Sequence, residues 1–322
     1  MKRKKVLVCG ATGFIGRNIV ERLSQLKKFE IIAVRNKSPS YMVSNVTWVQ
    51  CDLTNKSAVD HLVQGCDIII QAAATTSGVK DIVERPYIHV TDNAIINSNL
   101  LRASFDHSIE HFLFFSCSVM YQSDREPIPE TAFDPNVEIL PSYFGVGWTK
   151  VYIEKMCEFY ARLGKTKFTI LRNSNIFGPY DKYDENKSHF FGATINKIFS
   201  TDSEYITVWG DGKSQRDLLY VSDLVDLVES ALQQQSSRLE LVNAGYGESR
   251  SITDIVSRIV ALSGTKKKLR YDTSKPSIDS RICLDIRHAK RTFDWAPRVP
   301  LDEGITRTIS WYKRNILQND AK

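Results

Sequence analysis

The chain passes from a short apolar run into a glycine-rich turn in the stretch Val6-Leu7-Val8-Cys9-Gly10-Ala11-Thr12-Gly13-Phe14-Ile15-Gly16. The three glycines lack the Cβ atoms that would keep a pyrophosphate away from backbone N–H groups. A helical pattern follows, and the positive end of a helix dipole attracts phosphate. We therefore predict a strand, turn and helix that bind a dinucleotide; the alternative is a tight turn without a ligand. The predicted contacts come from Gly10, Thr12, Gly13, Phe14, Ile15 and Gly16.

Around this stretch, the first half of the chain alternates short β-branched segments with longer segments of helical periodicity. Buried strands are predicted at Lys5–Cys9, Ile31–Val34, Asp67–Ile70, Phe112–Phe115 and Phe168–Leu171, and helices at Gly16–Leu26, Asp92–Ser104 and Thr149–Leu163. A repeated strand–helix order with few hairpin signals indicates a parallel sheet with helices on both faces. The predicted fold class is α/β, a Rossmann doubly wound parallel sheet with a smaller C-terminal substrate-binding domain.

The strand–helix rhythm loosens after about Arg172, which predicts a change of domain. We assign residues 1–172 to a dinucleotide-binding domain and residues 173–322 mainly to a substrate-binding domain. Leu239–Asn243 has the composition of a further strand. A segment near residues 217–245 is therefore expected to return to the first domain.

Composition excludes several classes of protein. In 322 residues, 43 basic and 37 acidic side chains give a net charge of +6, spread along the chain rather than in blocks. This distribution favours an anionic small molecule over nucleic acid. The six cysteines show no CxxC spacing, so no metal site is predicted and a reducing, cytoplasmic location is expected. No apolar run approaches the roughly 20 residues of a membrane helix.

The residues after the second predicted strand bear on the choice of cofactor. An acidic residue there would bind the ribose 2′-hydroxyl of NAD, but this sequence has Arg35, whose guanidinium matches a 2′-phosphate. Lys37 and Arg17 could add positive charge nearby, so NADP(H) is preferred over NAD(H). The alternative for Arg35 is a solvated surface residue. Further cofactor contacts are predicted from Asn36, Asp52, Leu53, Ala72, Ala73 and Ala74.

A set of motifs along nearly the whole chain carries a family resemblance. The general motifs are Gly10–Gly16, Asp52-Leu53, Ala72–Ala74, Asp92-Asn93, Asn173–Pro179, Ser222-Asp223 and Trp295. More specific ones are Asn175–Asp181, Asn186–His189, Val208–Gly212, Arg216–Asp223, Asp272–Pro276 and Arg281. The first set resembles the extended short-chain dehydrogenase/reductases of the sugar-nucleotide epimerase/dehydratase group. The second is most similar to the GDP-L-fucose synthases within that group.

The resemblance implies an oxidoreductase or epimerase that acts on a 4-keto-6-deoxy nucleotide sugar, with a GDP-linked sugar preferred. It also implies a homodimer formed through a four-helix bundle that includes Thr149–Leu163. Met156, Phe159 and Tyr160 would contribute to that bundle, unless they belong to the protein's own core. The substrate pocket implied by the resemblance is lined by Asn175, His189, Lys197, Trp209, Arg216 and Lys275.

The sequence departs from this family at the catalytic centre. Family members carry a Tyr-x-x-x-Lys pair on one helix face, and here Lys150 is present but Val146 occupies the tyrosine position. The resemblance assigns Lys150 to the nicotinamide ribose. The family's Ser or Thr is also replaced, by Cys117. Either neighbour, Ser116 or Ser118, could substitute, although strand alternation sends adjacent side chains to opposite faces.

Other groups could replace the missing tyrosine. Tyr143 precedes Lys150 by two α-helical turns, a rise of about 10.5 Å that is too long for the usual arrangement. Cys117 and His189 are better candidates, because either could titrate near neutral pH if perturbed. The fucose synthases also use a cysteine and a histidine for epimerisation; His189 matches the histidine, and Val119 falls at the cysteine. The predicted catalytic residues are Lys150, Cys117 and His189.

Two functions remain open from the sequence. One is a sugar-nucleotide reductase or epimerase with a non-standard proton donor. The other is a catalytically degenerate protein that binds a dinucleotide and a nucleotide sugar without turnover. An engineered substitution at Val146 would explain only one of the two altered positions, since Cys117 also departs from the family.

Overall fold

A computed structural model describes residues 3–75, 84–122, 124, 126–184, 188–275 and 277–318. Its main element is a parallel sheet of seven strands in the order β10-β6-β5-β4-β1-β2-β3. These strands are β1 (Lys4–Cys9), β2 (Phe29–Arg35), β3 (Val46–Gln50), β4 (Ile68–Gln71), β5 (His111–Cys117), β6 (Lys167–Asn173) and β10 (Leu239–Ala244). The order reverses beside β1, which opens a crevice at the carboxyl ends of the strands.

Helices cover both faces of this sheet. On one face lie α1 (Phe14–Leu23), α6 (Val221–Gln234) and α8 (Arg287–Phe293), and on the other lie α2 (Lys56–Val63), α3 (Thr91–Asp106) and α4 (Phe144–Leu163). Each group buries an apolar face against the β-branched side chains of the strands. The predicted Rossmann fold is confirmed.

Helix α4 begins five residues earlier than the sequence predicts, at Phe144 instead of Thr149. Gly145 and Gly147 disfavour helix by propensity, which explains the error. The helix nevertheless continues through them because both are packing sites. A Cβ on Gly145 would lie 2.9 Å from a methyl group of Val90, and one on Gly147 would lie 3.0 Å from Ile139. The first turn of α4 is therefore held closely against its neighbours.

The rest of the chain builds a smaller part beside the crevice. It contains β7 (Asn175–Phe177), β8 (Tyr205–Trp209), β9 (Gln215–Tyr220), β11 (Ser249–Ser251) and β12 (Lys268–Asp272), with α5 (Phe190–Ser200), α7 (Ile252–Ser263) and α9 (Leu301–Tyr312). The strands form a three-stranded sheet, β11-β9-β7, and a parallel pair, β12-β8. A separate apolar core fills the space between them and the helices.

The chain returns to the large sheet after β9. Strand β10 pairs in parallel with β6, and α6 packs against α1. The side chain of Trp295 donates a hydrogen bond to the Asp223 carbonyl (2.9 Å), and the Asp223 carboxylate accepts one from the Val299 N–H (3.0 Å). These contacts attach the C-terminal segment to α6. Within the described residues, no helix has both the length and the apolar composition to cross a bilayer.

Candidate active site

The glycine-rich turn lies at the carboxyl end of β1 and packs closely against the residues that follow β4, its neighbour in the sheet. Gly10 has a φ of +72°, and a Cβ there would lie 2.7 Å from both the carbonyl oxygen of Ala72 and the backbone of Ala73. A Cβ on Gly16 would overlap the Gly10 carbonyl. The Gly13 N–H donates to that carbonyl (2.9 Å). The predicted cofactor residues that follow β1 and β4 therefore form one cradle. Backbone atoms line it, and a side chain at Gly10 or Gly16 would occupy its space.

Arg35 ends β2 at the edge of the cradle. Its carbonyl accepts a hydrogen bond from the Cys51 N–H (2.9 Å), which places Asp52 and Leu53 beside it. The hydroxyl and N–H of Thr54 donate to the Asp52 carboxylate and lower its pKa. In the described part of the chain, the Arg35 guanidinium makes no hydrogen bond or ion pair. It is thus free to meet an anion.

Arg17, in contrast, is already engaged. Its guanidinium lies 4.0 Å from the ring centre of Tyr41 and 3.8 Å from that of Tyr180, and it pairs with Glu21 at 3.0 Å. The expectation that Arg17 adds free charge near a 2′-phosphate is therefore not supported. The residue instead joins α1 to the loop after β7, where Asn18 also donates to the Pro179 carbonyl (3.0 Å).

Lys150 lies on α4 at the carboxyl end of β5. Its ammonium donates to the Phe115 carbonyl (2.7 Å) and lies 4.6 Å from the ring centre of Phe114. Desolvation lowers the pKa of Lys150, opposed by the nearby charges of Cys117 and Glu154. Burial raises the pKa of the Cys117 thiol, and Lys150 opposes that rise. The structure thus brings two of the three predicted catalytic residues together.

The Ser116 hydroxyl is already engaged in a buried hydrogen bond, which disfavours it as a replacement for the family's catalytic hydroxyl. Its hydroxyl donates to Glu154 Oε1 (2.6 Å), and Glu154 forms a buried ion pair with Arg172 at 2.7 Å. Arg172 also donates to the Tyr121 hydroxyl (2.8 Å). Ser116 thus belongs to a buried polar network, whereas Cys117 packs against an apolar cluster that Tyr143 also contacts. Ser118 is buried as well.

Tyr143 lies beside one of the predicted catalytic residues, Cys117. It ends a short 3₁₀ helix, Pro141–Tyr143, immediately before α4. Tyr143 and Cys117 both pack against the same apolar cluster of Met120, Ile139 and Val151. The sequence did not predict this 3₁₀ helix, because the break between two kinds of helix has no clear local signal.

His189 precedes α5 and has an exposed side chain. Surrounding protein atoms, followed by the positive charges of Lys182 and His89, lower the pKa of its imidazole. At neutral pH this ring is therefore neutral and suited to accept a proton rather than donate one. The charges that shift its pKa are not those around Cys117 and Lys150.

The predicted substrate residues lie on the smaller part of the molecule. The Lys197 ammonium lies 5.4 Å from the ring centre of the exposed Trp209. Lys275 follows β12, whose last residue, Asp272, pairs with Trp209. These three residues therefore cluster around the end of one strand pair. Asn186, Lys187 and Pro276, which belong to the motifs of the resemblance, lie outside the described residues.

Two further predicted substrate residues, Arg216 and Asn175, form hydrogen bonds to backbone carbonyls. The Arg216 guanidinium donates to the carbonyls of Ser280 (2.9 Å) and Ile278 (3.0 Å). The side-chain amide of Asn175 donates to the Asp217 carbonyl (3.2 Å). Arg216 interacts electrostatically with Tyr143, which links the substrate side to the start of α4.

Comparison with known proteins shows the family of this chain. Residues 6–245 match the model of the NAD dependent epimerase/dehydratase family. The chain belongs to this family, as its motifs predict.

Among curated relatives, the chain is 27% identical to GDP-L-colitose synthase of Yersinia pseudotuberculosis over 96% of this chain and 97% of that protein. It is also 27% identical to GDP-L-fucose synthase of Azorhizobium caulinodans, over 97% of each.

Solved structures share the fold. UDP-glucose 4-epimerase of Thermotoga maritima, determined with UDP-glucose, superposes with a TM-score of 0.87 at 23% identity, covering 97% of this chain and 99% of that one. UDP-glucuronic acid 4-epimerase of Bacillus cereus, determined with UDP-glucuronic acid and NAD, gives 0.82 at 23% identity, covering 96% and 99%.

Proposed function

We propose that this protein is an NADP(H)-dependent reductase or epimerase of a 4-keto-6-deoxy nucleotide sugar, with a GDP-linked sugar preferred. The observation that carries the proposal is Lys150, which retains the family's lysine position on α4 and lies at the same edge of the sheet as the glycine-rich cradle. The GDP preference rests on the GDP-L-colitose and GDP-L-fucose synthases among its relatives.

The residues of the cradle suit a dinucleotide. Backbone N–H groups of the turn from Gly10 to Gly16 would donate to the pyrophosphate. Arg35 would bind a 2′-phosphate, and Lys150 would bind the nicotinamide ribose. When bound, the reduced nicotinamide supplies a hydride to a keto carbon. The protein must then supply a proton to the resulting alkoxide. His189, whose lowered pKa keeps it neutral, is suited to remove a proton next to a keto group during epimerisation.

The smaller part of the molecule suits the rest of the substrate. Arg216, Lys197 and Lys275 provide positive charge for a diphosphate, and Trp209 provides an exposed ring for a base or a sugar. The side-chain amide of Asn175 completes the polar lining. This charge pattern fits the anionic small molecule that the composition predicts.

A direct test is a titration of the purified protein with NADPH and NADH, followed by GDP-, CDP- and dTDP-linked 4-keto-6-deoxy sugars. Loss of nicotinamide absorbance with the GDP sugar, and a product identified by NMR, would support the proposal. The alternative is a degenerate protein that binds both molecules without turnover, favoured by Val146 at the tyrosine position. Tight binding with neither oxidation of NADPH nor a product isomer would establish that alternative.

Arg35→Ser is expected to weaken NADPH binding by about tenfold or more, because it removes a charge-assisted contact to the 2′-phosphate. NADH binding is expected to change less than twofold, since NADH has no such phosphate. Nicotinamide fluorescence measures both affinities. Arg22→Ser on α1 is the control, because Arg22 pairs with Glu229 on α6. Equal weakening for both cofactors by Arg35→Ser would contradict the NADP preference.

We also propose a cytoplasmic homodimer formed through α3 and α4. Six large apolar side chains of these two helices are exposed: Ile95, Phe105, Phe144, Tyr152, Phe159 and Leu163. Met156 and Tyr160 pack against the protein's own core and are partly buried there. An apolar face of this kind is typical of a helix-bundle interface.

Phe159→Glu is expected to convert the dimer to a monomer, because it places a charge at the centre of this apolar face. Light scattering after size-exclusion chromatography measures the mass. Met42→Glu is the matched control, since Met42 is 99% exposed and lies on another part of the surface. A dimer that persists in Phe159→Glu would require a different interface.

A further inference from the structure

The missing tyrosine has a neighbour that can take its place. We propose that the phenol of Tyr143 is the proton donor of the reaction, in place of the tyrosine that Val146 replaces. The proposal rests on the proposed reductase function. Tyr143 lies three residues, or about one helical turn, before Val146. Its ring packs against the same apolar cluster as Cys117, the residue at the family's Ser or Thr position.

The start of α4 is built to hold Tyr143 in one position. The Tyr143 N–H donates to the Leu140 carbonyl (2.7 Å), which closes the 3₁₀ turn. Gly145 and Gly147 bring the following turn against Val90 and Ile139 at distances that no side chain would permit. Ile139 belongs to the cluster that Tyr143 also contacts. The position of the ring is therefore determined by packing on two sides.

The surroundings of Tyr143 suit a donor rather than a base. Burial raises the pKa of Tyr143, so the phenol carries its proton at neutral pH. The Arg216 guanidinium lies close enough to oppose that rise, and it is held by three backbone carbonyls, those of Gln215, Ser280 and Ile278. A fixed positive charge of this kind stabilises the phenolate that remains after proton transfer.

The other candidates are less suited to donate. His189 is neutral at neutral pH because its pKa is lowered. Ser116 already donates to Glu154. The Cys117 thiol interacts electrostatically with both Lys150 and Tyr143. It occupies the sequence position of the family's Ser or Thr. Cys117 is therefore assigned to positioning, and Tyr143 to the transfer itself.

The proton balance is simple. Hydride transfer would break a C–H bond of the reduced nicotinamide, which is oxidised, and form a C–H bond at the keto carbon, which leaves an alkoxide on the sugar. The O–H bond of Tyr143 breaks, and the proton forms the hydroxyl of the product. The phenolate remains beside Arg216 until water returns a proton to it.

The test compares Tyr143→Phe with Tyr152→Phe, a control that removes an exposed phenol from α4. We expect Tyr143→Phe to lower kcat about 10²–10⁴-fold with KM and NADPH affinity nearly unchanged, because general acid catalysis contributes that much. Tyr152→Phe is expected to retain activity. Restoring the family's residue with Val146→Tyr in the Tyr143→Phe background is expected to recover turnover.

A second measurement needs no cofactor. The alkaline difference spectrum between the wild type and Tyr143→Phe isolates the titration of this one phenol. In an Arg216→Met background the same difference is expected to shift to higher pH, since the opposing charge is gone. An unshifted titration would overturn the electrostatic part of the proposal whether or not a substrate is known.

The outcomes separate the two proposals. Wild-type turnover that survives Tyr143→Phe overturns the role of Tyr143 and leaves the reductase function standing. Turnover that is absent in the wild type and appears with Val146→Tyr alone shows that the chain lacks a donor, which also overturns it. Absence of turnover in both proteins, with tight cofactor binding, overturns the reductase function.

Discussion

Gly10→Ala is expected to abolish dinucleotide binding and to destabilise the fold. A residue with a side chain at a φ of +72° costs about 1–2 kcal/mol. The new Cβ would also lie 2.7 Å from the backbone of Ala72 and Ala73, and relieving such an overlap costs about 1–3 kcal/mol more. The strand ends must separate to accommodate it, which opens the cradle. Urea unfolding and NADPH fluorescence measure the two effects.

Gly65→Ala is a matched control for this prediction. Gly65 has almost the same φ, +74°, but a Cβ there would meet no atom within 4 Å. We expect it to lose only the backbone cost, about 1–2 kcal/mol, and to bind NADPH normally. If the two variants behave alike, the close approach at Gly10 does not matter and the cradle is not formed as described.

Glu154→Gln is expected to lower the free energy of unfolding by about 3–5 kcal/mol, because it leaves the buried Arg172 guanidinium without its charge partner. The effect reaches the active site, since Glu154 also accepts the hydrogen bond of Ser116 and lies on the helix that carries Lys150. Urea unfolding followed by circular dichroism gives the stability. A parallel loss of NADPH affinity would report movement of α4.

Glu158→Gln, four residues further along the same helix, is the control. Glu158 pairs with Lys155 and Arg162 at the surface, and such pairs contribute less than about 1 kcal/mol. Replacing both buried partners, with Glu154→Leu and Arg172→Met, is expected to recover part of the loss, because no unpaired charge then remains. A small effect of Glu154→Gln would mean that water reaches Arg172.

Several features could be predicted from the sequence because short-range patterns determine them. The glycine spacing after β1 permits only a close-packed turn, and Arg35 ends a strand that its β-branched composition predicts. Lys150 lies on a helix whose periodicity is plain from Thr149 onward. The sequence did not predict the beginning of that helix. Gly145 disfavours helix by its own propensity, and it is helical here because the turn packs closely against Val90.

What the sequence by itself determined was the class of fold, the cradle and the loss of the usual tyrosine, since each depends on residues that are neighbours in the chain. The tertiary structure decided the rest. It holds Arg17 between the rings of Tyr41 and Tyr180, and it brings Tyr143 into the range of Arg216. These contacts join residues far apart in sequence, and their positions follow from how the helices and the smaller part pack, which no local pattern encodes.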